Sequence, residues 1–293
     1  MLNCSNKRGF KRNIDLFCFR REKSQKIQIQ YSLLNPVIIM LESKSNPMKI
    51  RIPGMLLAAS IISLLSFSKS DPAFETSNSS STSSKNIIAT KELNASIAHS
   101  LYINISLASK GLSEEIFSLA YQGFEKLNSK GRLSADSILT IIDFTKSSAE
   151  KRMFVVDLKS QQLIFHSVVA HGRNSGQEFA KSFSNNMNSH QSSIGFYLTG
   201  LPYQGSNGYS LQLEGIERGF NDKAMQRAIV IHGADYANES VIGSKGYLGR
   251  SFGCPALPRQ INEKVINKIK QGNLLFAYFP DKKYLNNSEI ING

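Results

Sequence analysis

Between Ala228 and Pro258 the chain reads AIVIHGADYANESVIGSKGYLGRSFGCPALP. An apolar run ends in His232-Gly233, a polar loop follows, and glycines at 246, 249 and 253 lead into Ser251-Phe252-Gly253-Cys254-Pro255. Thiolate attack on a carbonyl needs a thiol, an imidazole to take its proton and backbone N–H groups to hold the oxyanion. Cys254 is therefore the candidate nucleophile and His232 its base. Ser251 is the candidate third member, accepting the other imidazole N–H and fixing the tautomer. A glycine at 253 lets the backbone approach a substrate closely. The plain readings stand beside these: a lone cysteine is often a small buried hydrophobe, and a histidine at a strand end is often a structural hydrogen-bonder.

The 293 residues hold three cysteines, at 4, 18 and 254, and carry a net charge of +13 with 41% hydrophobic content. The charge is uneven: residues 1–70 hold 12 Lys and Arg against 3 Asp and Glu, whereas 71–293 hold 23 against 19. Most of the basic character thus lies away from the candidate chemistry, and no aromatic-interleaved basic stripe follows residue 70, so nucleic acid is not an expected partner.

The elements that must position Cys254 and His232 follow an export-like N-terminus. Lys49 and Arg51 precede an apolar run from Met55 to Phe67, and Ser66, Ser68 and Ser70 follow as small residues. This is the layout of a secretory signal peptide over 48–70, with an apolar run shorter than the roughly 20 residues of a membrane span. An uncleaved anchor is the alternative, and that segment is then the expected membrane contact. Because an n-region begins near the start of translation, Met48 is the expected start, and 1–47 is read as a spurious, disordered extension. Cys254 is then the one cysteine of the mature chain: inert, paired between chains, or reactive.

Residues 71–89, with TSNSSSTSSK at 76–85, read as a flexible linker. Residues 90–148 read as a helical segment, with Ile116, Leu119, Ala120, Phe124 and Leu127 in one helix and Ile138, Ile141 and Ile142 in the next. Ser113 and Ser134 are their expected N-caps. Residues 149–293 read as the catalytic domain. Strands are expected at Met153–Leu158, Leu163–Ala170, Ile194–Thr199, Tyr209–Leu213, Ala228–His232 and Leu274–Phe279, with one helix from Gln260 to Lys270. The pattern favours a mainly β fold, a sandwich or barrel-like sheet, over a parallel α/β fold.

His-Gly followed after a loop by Ser-x-Gly-Cys resembles the signature of the L,D-transpeptidase (YkuD-like) catalytic domain. The Gly-Arg-Ser-x-Gly-Cys-Pro-Ala form at Gly249 to Ala256 is similar to a murein L,D-transpeptidase subgroup of exported bacterial proteins. The likeness runs over residues 150–281 and takes in Ala170-His171-Gly172-Arg173-Asn174-Ser175 and Ser193-Ile194-Gly195-Phe196-Tyr197. It implies an L,D-transpeptidase-like β-sandwich with a small helical N-terminal segment, and a periplasmic or envelope-associated enzyme acting on peptidoglycan stem peptides. Cys254 would form a thioester at the third residue of a stem tetrapeptide, with backbone N–H groups of Gly253 and Cys254 at the oxyanion. No cofactor or metal is implied.

The sequence departs from the family pattern twice. Phe252 stands where a second His is common before the Gly-Cys pair, which leaves the base role to His232. Ala256 stands where Arg or Asn is common, so carboxylate binding falls to Arg250, Arg173 or Arg259, each of which also reads as plain surface charge. His171 and Tyr209 are weaker cleft-lining candidates, Ser210 shares the Tyr209 strand, and Asp235 reads as a loop-capping side chain. The acceptor is open between a stem peptide, a protein Lys and a free amino acid. With water as acceptor the protein is an L,D-carboxypeptidase, and without turnover it is a wall-binding module.

Overall fold

The run Ile138-Leu139-Thr140-Ile141-Ile142 forms a strand, β1 (Ile138–Asp143), with all six residues buried. The computed structural model describes residues 80–293; the expected extension at 1–47, the signal-type segment at 48–70, Cys4 and Cys18 lie outside the described residues. β1 corrects the helical reading of Ile138, Ile141 and Ile142. A strand covered on both faces shows no polar alternation, so spacing does not separate it from a buried helix; the β-branched content does. Ser134 is likewise not a helix cap: its N–H donates to the Gly272 carbonyl at 2.8 Å and its hydroxyl to Asn273 Oδ1 at 2.9 Å, anchoring the chain ahead of β1.

The other strands are β2 (Met153–Asp157), β3 (Gln162–Ser167), β4 (Gly195–Gly205), β5 (Gly208–Gly215), β6 (Val230–Gly233), β7 (Ala256–Leu257) and β8 (Leu274–Tyr278). They form one eight-stranded sheet in the order β3-β2-β1-β8-β4-β5-β6-β7. β1 runs parallel to β8 and β6 parallel to β7; the other pairs are antiparallel. Alternate residues of β1 feed two cores, as a period of two requires. Leu139 and Ile141 join Phe154, Phe196 and Phe276 against helices α1 (Ser80–Asn104) and α2 (Glu114–Asn128). Ile138 and Ile142 join Val155, Leu211 and Ile231 against Val265, Ile266 and Ile269 of α4 (Arg259–Ile269). The expected mainly β, barrel or sandwich-like architecture with several helices is what the chain adopts.

Two boundaries change. The linker expected at 71–89 is helical from Ser80, because α1 is anchored at Ala98, Leu101 and Tyr102 and a nucleated helix extends at little cost. The divide between 90–148 and 149–293 is not structural, since β1 pairs with β8 across it and both parts lie in one compact unit. Ser113 caps α2 as expected, accepting the Ile116 N–H at 3.3 Å. Among the described residues no helix is long and apolar enough to cross a membrane.

The remaining helices, α3 (Glu239–Lys245), α5 (Lys282–Asn287) and α6 (Glu289–Asn292), are short. α5 and α6 are tied to the sheet by buried Glu217, which accepts the Phe196 N–H at 2.7 Å, the Tyr284 hydroxyl at 2.8 Å and the Ser288 hydroxyl. Burial pushes the Glu217 carboxyl up, and these donors pull against it.

Candidate active site

The cysteine turn is held between two stretches of backbone. On one side β6 runs parallel to it, placing His232 opposite Ala256 and Val230 beside Cys254. On the other side Ala170 exchanges hydrogen bonds with Ala256 (2.8 and 3.3 Å), the Ser251 N–H donates to the His171 carbonyl (2.9 Å) and the Arg173 N–H to the Ser251 carbonyl (2.8 Å). Inside the turn the Ser251 hydroxyl donates to the Cys254 carbonyl at 2.6 Å and accepts the Gly253 N–H at 3.0 Å. Ser192 closes the ring, donating to the Gly253 carbonyl at 3.0 Å and accepting the Gly172 N–H at 3.0 Å. Gly253 adopts φ +129°, and a Cβ there would sit 2.9 Å from the Gln191 carbonyl oxygen, so only glycine fits without strain.

The half-buried Cys254 sulfur receives the Val230 N–H at 3.5 Å and donates to the Ala228 carbonyl at 3.6 Å. Burial pushes the thiol up, while the Val230 N–H, the Arg227 cation and the cysteine's own N–H favour thiolate. Buried His232 places Nδ1 3.2 Å from the Gly233 carbonyl. A carbonyl only accepts, so Nδ1 carries the proton and Nε2 keeps its lone pair, the tautomer a base needs. Burial first, then the Arg259 charge, hold the imidazolium below its ordinary range, with the Gly233 carbonyl opposing them. The imidazole is neutral at pH 7. His232 and Cys254 lie on neighbouring backbone segments, with no hydrogen bond between ring and sulfur in this resting arrangement.

The expected roles of two residues are corrected. Ser251 does not orient His232, because its hydroxyl is committed to the turn; the Gly233 carbonyl sets the tautomer instead. The Gly253 N–H is not available to an oxyanion, because Ser251 Oγ accepts it; the Cys254 N–H remains the candidate donor.

The weaker candidates divide. His171 is fully buried and does not line a cleft: its Nδ1 accepts from Arg152 Nη2 at 2.8 Å. Burial and the Arg152 charge bring its pKa down to about 3. Tyr209 is not at the site either, since its hydroxyl donates to Asn267 Oδ1 on α4 at 2.9 Å and its neighbour Ser210 is the residue paired with His232. Arg259 is paired with Asp235 at 2.7 Å, so Asp235 is an ion-pair partner rather than a loop cap. Arg173 and Arg250 do converge. With Lys245, Tyr247, Gly249 and Phe252 they line a cavity of about 290 Å³ beside the cysteine turn. Phe252 is 64% exposed, with the Arg173 guanidinium 5.7 Å from its ring centre and the His190 ring 4.7 Å away.

Three supporting residues escaped the sequence reading. Arg152, fully buried, donates to the Val169 carbonyl through Nε (3.1 Å) and Nη2 (2.8 Å) and to the Lys146 carbonyl through Nη1 (2.9 Å), bracing the segment that flanks Ser251. A lone Arg heading the apolar run Met153-Phe154-Val155-Val156 is the signal that marks it. Arg227 and Ser192 carry no comparable local signal.

A family model of the L,D-transpeptidase catalytic domain matches residues 108–278, more than half of the chain. The chain belongs to the L,D-transpeptidase catalytic domain family. The match begins ahead of α2, so the family unit takes in α2 and β1 together with the Cys254 and His232 elements. No curated protein matches the chain. Similar solved structures include an L,D-transpeptidase from Mycobacterium smegmatis, at 12% identity and TM-score 0.31, covering 49% of this chain and 59% of that one. An L,D-transpeptidase from Stackebrandtia nassauensis matches at 12% identity and TM-score 0.31, over 56% of this chain and 66% of its own. The helical cell shape determining protein Pgp2 from Campylobacter jejuni matches at 14% identity and TM-score 0.33, over 50% of this chain and 48% of its own. The chain thus spans less than two thirds of the first of these relatives. In this L,D-transpeptidase domain the cysteine turn and its flanking strands are the chemically equipped part of the sheet edge.

Proposed function

We propose that this L,D-transpeptidase domain forms a Cys254 thioester with a peptidoglycan stem tetrapeptide and passes it to an acceptor amine. The observation that carries the reading is the pairing of a braced Cys254 turn with a neighbouring His232 whose Nδ1 is committed to the Gly233 carbonyl. Sγ bonds to the carbonyl carbon of the third stem residue as the thiol proton passes to His232 Nε2. The Cys254 N–H faces the resulting oxyanion. Collapse breaks the peptide bond, and the terminal D-alanine leaves with the proton from His232. In the second half the acceptor amine attacks the thioester, gives a proton to His232, and Cys254 leaves as the thiol.

The cavity beside the turn supports a substrate carrying free carboxylates. Arg173, Lys245 and Arg250 line it, and among the described residues none of the three is in an ion pair with an acid. Gly249–Ala256 further suits the murein subgroup in which Gly-Arg-Ser-x-Gly-Cys-Pro-Ala carries the nucleophile. The signal-type layout at 48–70 supports action outside the cytoplasmic membrane, where peptidoglycan lies.

The test is incubation of purified protein with tetrapeptide muropeptides, read by mass. Cross-linked dimers or amine adducts that vanish in Cys254→Ala and His232→Ala support transpeptidation. Tripeptides alone identify an L,D-carboxypeptidase, and turnover that survives Cys254→Ala overturns the thioester reading. A one-to-one covalent adduct with a carbapenem, absent in Cys254→Ala, is the direct check on the nucleophile.

A further inference from the structure

Arg227 is half-buried, and its guanidinium is gripped by one loop. Nη1 donates to the Ser184 carbonyl at 2.7 Å and to Ser193 Oγ at 2.5 Å; Nη2 donates to the Gln191 carbonyl at 2.6 Å and to Ser189 Oγ at 3.1 Å. Every one of these partners is neutral, and among the described residues no carboxylate pairs with Arg227. A cation drawn out of water without an acid beside it is costly, so its retention asks for a reason. The guanidinium reaches the cysteine turn: Nη2 lies 3.3 Å from the point a Cβ on Gly253 would occupy. The loop that holds the cation also holds the turn. Gln191 and Ser193 bind Arg227, and Ser192 between them binds the Gly253 carbonyl.

We propose that Arg227 is a positioning residue of the acyl-transfer site: a fixed, unneutralised cation, clamped to the Cys254 turn by residues 184–193, that favours negative charge on the sulfur and on the tetrahedral oxygen. The proposal rests on Cys254 being the nucleophile. The Arg227 charge pulls the thiol toward thiolate against its burial, and the thiolate in turn helps to keep Arg227 charged although burial lowers it. Because the four Nη contacts are made within the protein, Arg227 acts through its field rather than by donating to substrate. A rigid charge needs no reorganisation as the reaction proceeds.

The other titratable groups around the pair are few. Tyr197, whose hydroxyl donates to the Ser193 carbonyl at 3.0 Å, faces Arg227 from β4. Tyr236 lies in the turn after β6, and burial and the cysteine push its hydroxyl up to about 12. His232 lies on β6, with Arg259 of α4 beyond it. Tyr197, Tyr236 and neutral His232 carry no charge at pH 7; Arg173, Lys245 and Arg250 line the cavity on the Phe252 side of the turn, with His190 against that ring, and Arg227 is the cation that bears on the sulfur.

The test is the pH dependence of Cys254 alkylation by iodoacetamide, resolved by peptide mass so that Cys4 and Cys18 do not interfere. It is run on the wild-type chain, Arg227→Lys, Arg227→Gln and Arg227→Met, with melting temperatures in parallel. The expected result is an inflection raised by about one pH unit in the Gln and Met variants, equal to about tenfold less thiolate near neutrality. Arg227→Lys, which keeps the charge and loses the planar fork, is expected to stay near wild type. Gln and Met profiles that superimpose on wild type overturn the proposal. If those two variants unfold, Lys decides: a wild-type inflection supports a role for the charge, and a raised one shows that only the loop's packing mattered. An unmoved inflection with an inactive Cys254→Ala overturns Arg227 alone, whereas an active Cys254→Ala overturns the nucleophile.

Discussion

The Ser251 hydroxyl donates to the Cys254 carbonyl at 2.6 Å and accepts the Gly253 N–H at 3.0 Å, so one side chain closes the turn that carries the sulfur. Ser251→Ala removes both bonds and leaves two polar backbone groups without partners, a loss of about 1–3 kcal/mol. Turnover of tetrapeptide muropeptides should fall roughly tenfold through loosening of the nucleophile. The acid limb of the pH–rate profile should stay where it is, because Ser251 does not touch His232. A limb displaced together with the rate would restore Ser251 to the triad.

Gly253→Ala tests the turn from the backbone side. A side chain at φ +129° meets the Gln191 carbonyl and the Ile229 side chain, both at 2.9 Å. The variant should lose about 1–3 kcal/mol of stability and roughly a hundredfold in kcat. Urea denaturation measures the first and muropeptide turnover the second. Wild-type stability and rate together would mean that the backbone tolerates another conformation here.

The pH dependence follows from three histidines held below the ordinary value of 6.5: His166, His232, and His171 at about 3. A base must be neutral to act, so the acid limb of kcat/KM for His232 should lie below pH 6.5. A limb at or above that value would mean that the resting imidazole is charged. Stability moves in the same direction. Unfolding frees each imidazole to bind a proton that the folded state refuses, so their contribution is complete above pH 6.5 and is lost as pH falls, for His171 down to about pH 3. Each unmatched proton steepens the loss by about 1.4 kcal/mol per pH unit. Urea midpoints at pH 7, 5.5 and 4 should decline, and less steeply in His232→Asn.

Arg152→Met should cost at least about 3 kcal/mol, since the Val169 and Lys146 carbonyls and His171 Nδ1 all lose their donor in a dry interior. Arg152→Lys keeps the charge, which burial brings down to about 9 in the wild type, but not the planar fork that serves three acceptors at once. It should recover only part of the loss. Thermal melts check both variants, and melting like wild type in Arg152→Met would remove Arg152 from the support of the Ala170–Arg173 segment.

The strands were readable where one face is wet or where turn residues bound them. β5 matches the expected Tyr209–Leu213 closely, running from Gly208 to Gly215, whereas β4 begins at Gly195, beside the expected Ile194, but continues well past Thr199 to Gly205, with Ser206-Asn207 between the two. β1 was not readable as a strand. Its apolar run is buried on both faces, and hydrophobic spacing alone fits a buried helix equally well. β7 is two residues long and exists because Ala256 and Leu257 lie between β6 and Ala170, a partnership across distant parts of the chain.

The sequence by itself marked Cys254 and His232 as the candidate thiol and imidazole, because residue type fixes which chemistry a side chain can offer while its surroundings set its reactivity, and Gly253 announced a turn that other residues cannot make. Only the tertiary structure decided how the two are served. It gave the tautomer to the Gly233 carbonyl and turned Ser251 into a brace. It took the Gly253 N–H from the oxyanion, and buried His171 beneath Arg152. Each of these is a hydrogen bond with a short list of possible partners, and which partner arrives depends on strands that meet only when the sheet is assembled. Arg227 is the clearest case: nothing local in Met225-Gln226-Arg227-Ala228 marks it, and its place beside Cys254 is set by a loop some forty residues earlier, through Ser184, Ser189, Gln191 and Ser193.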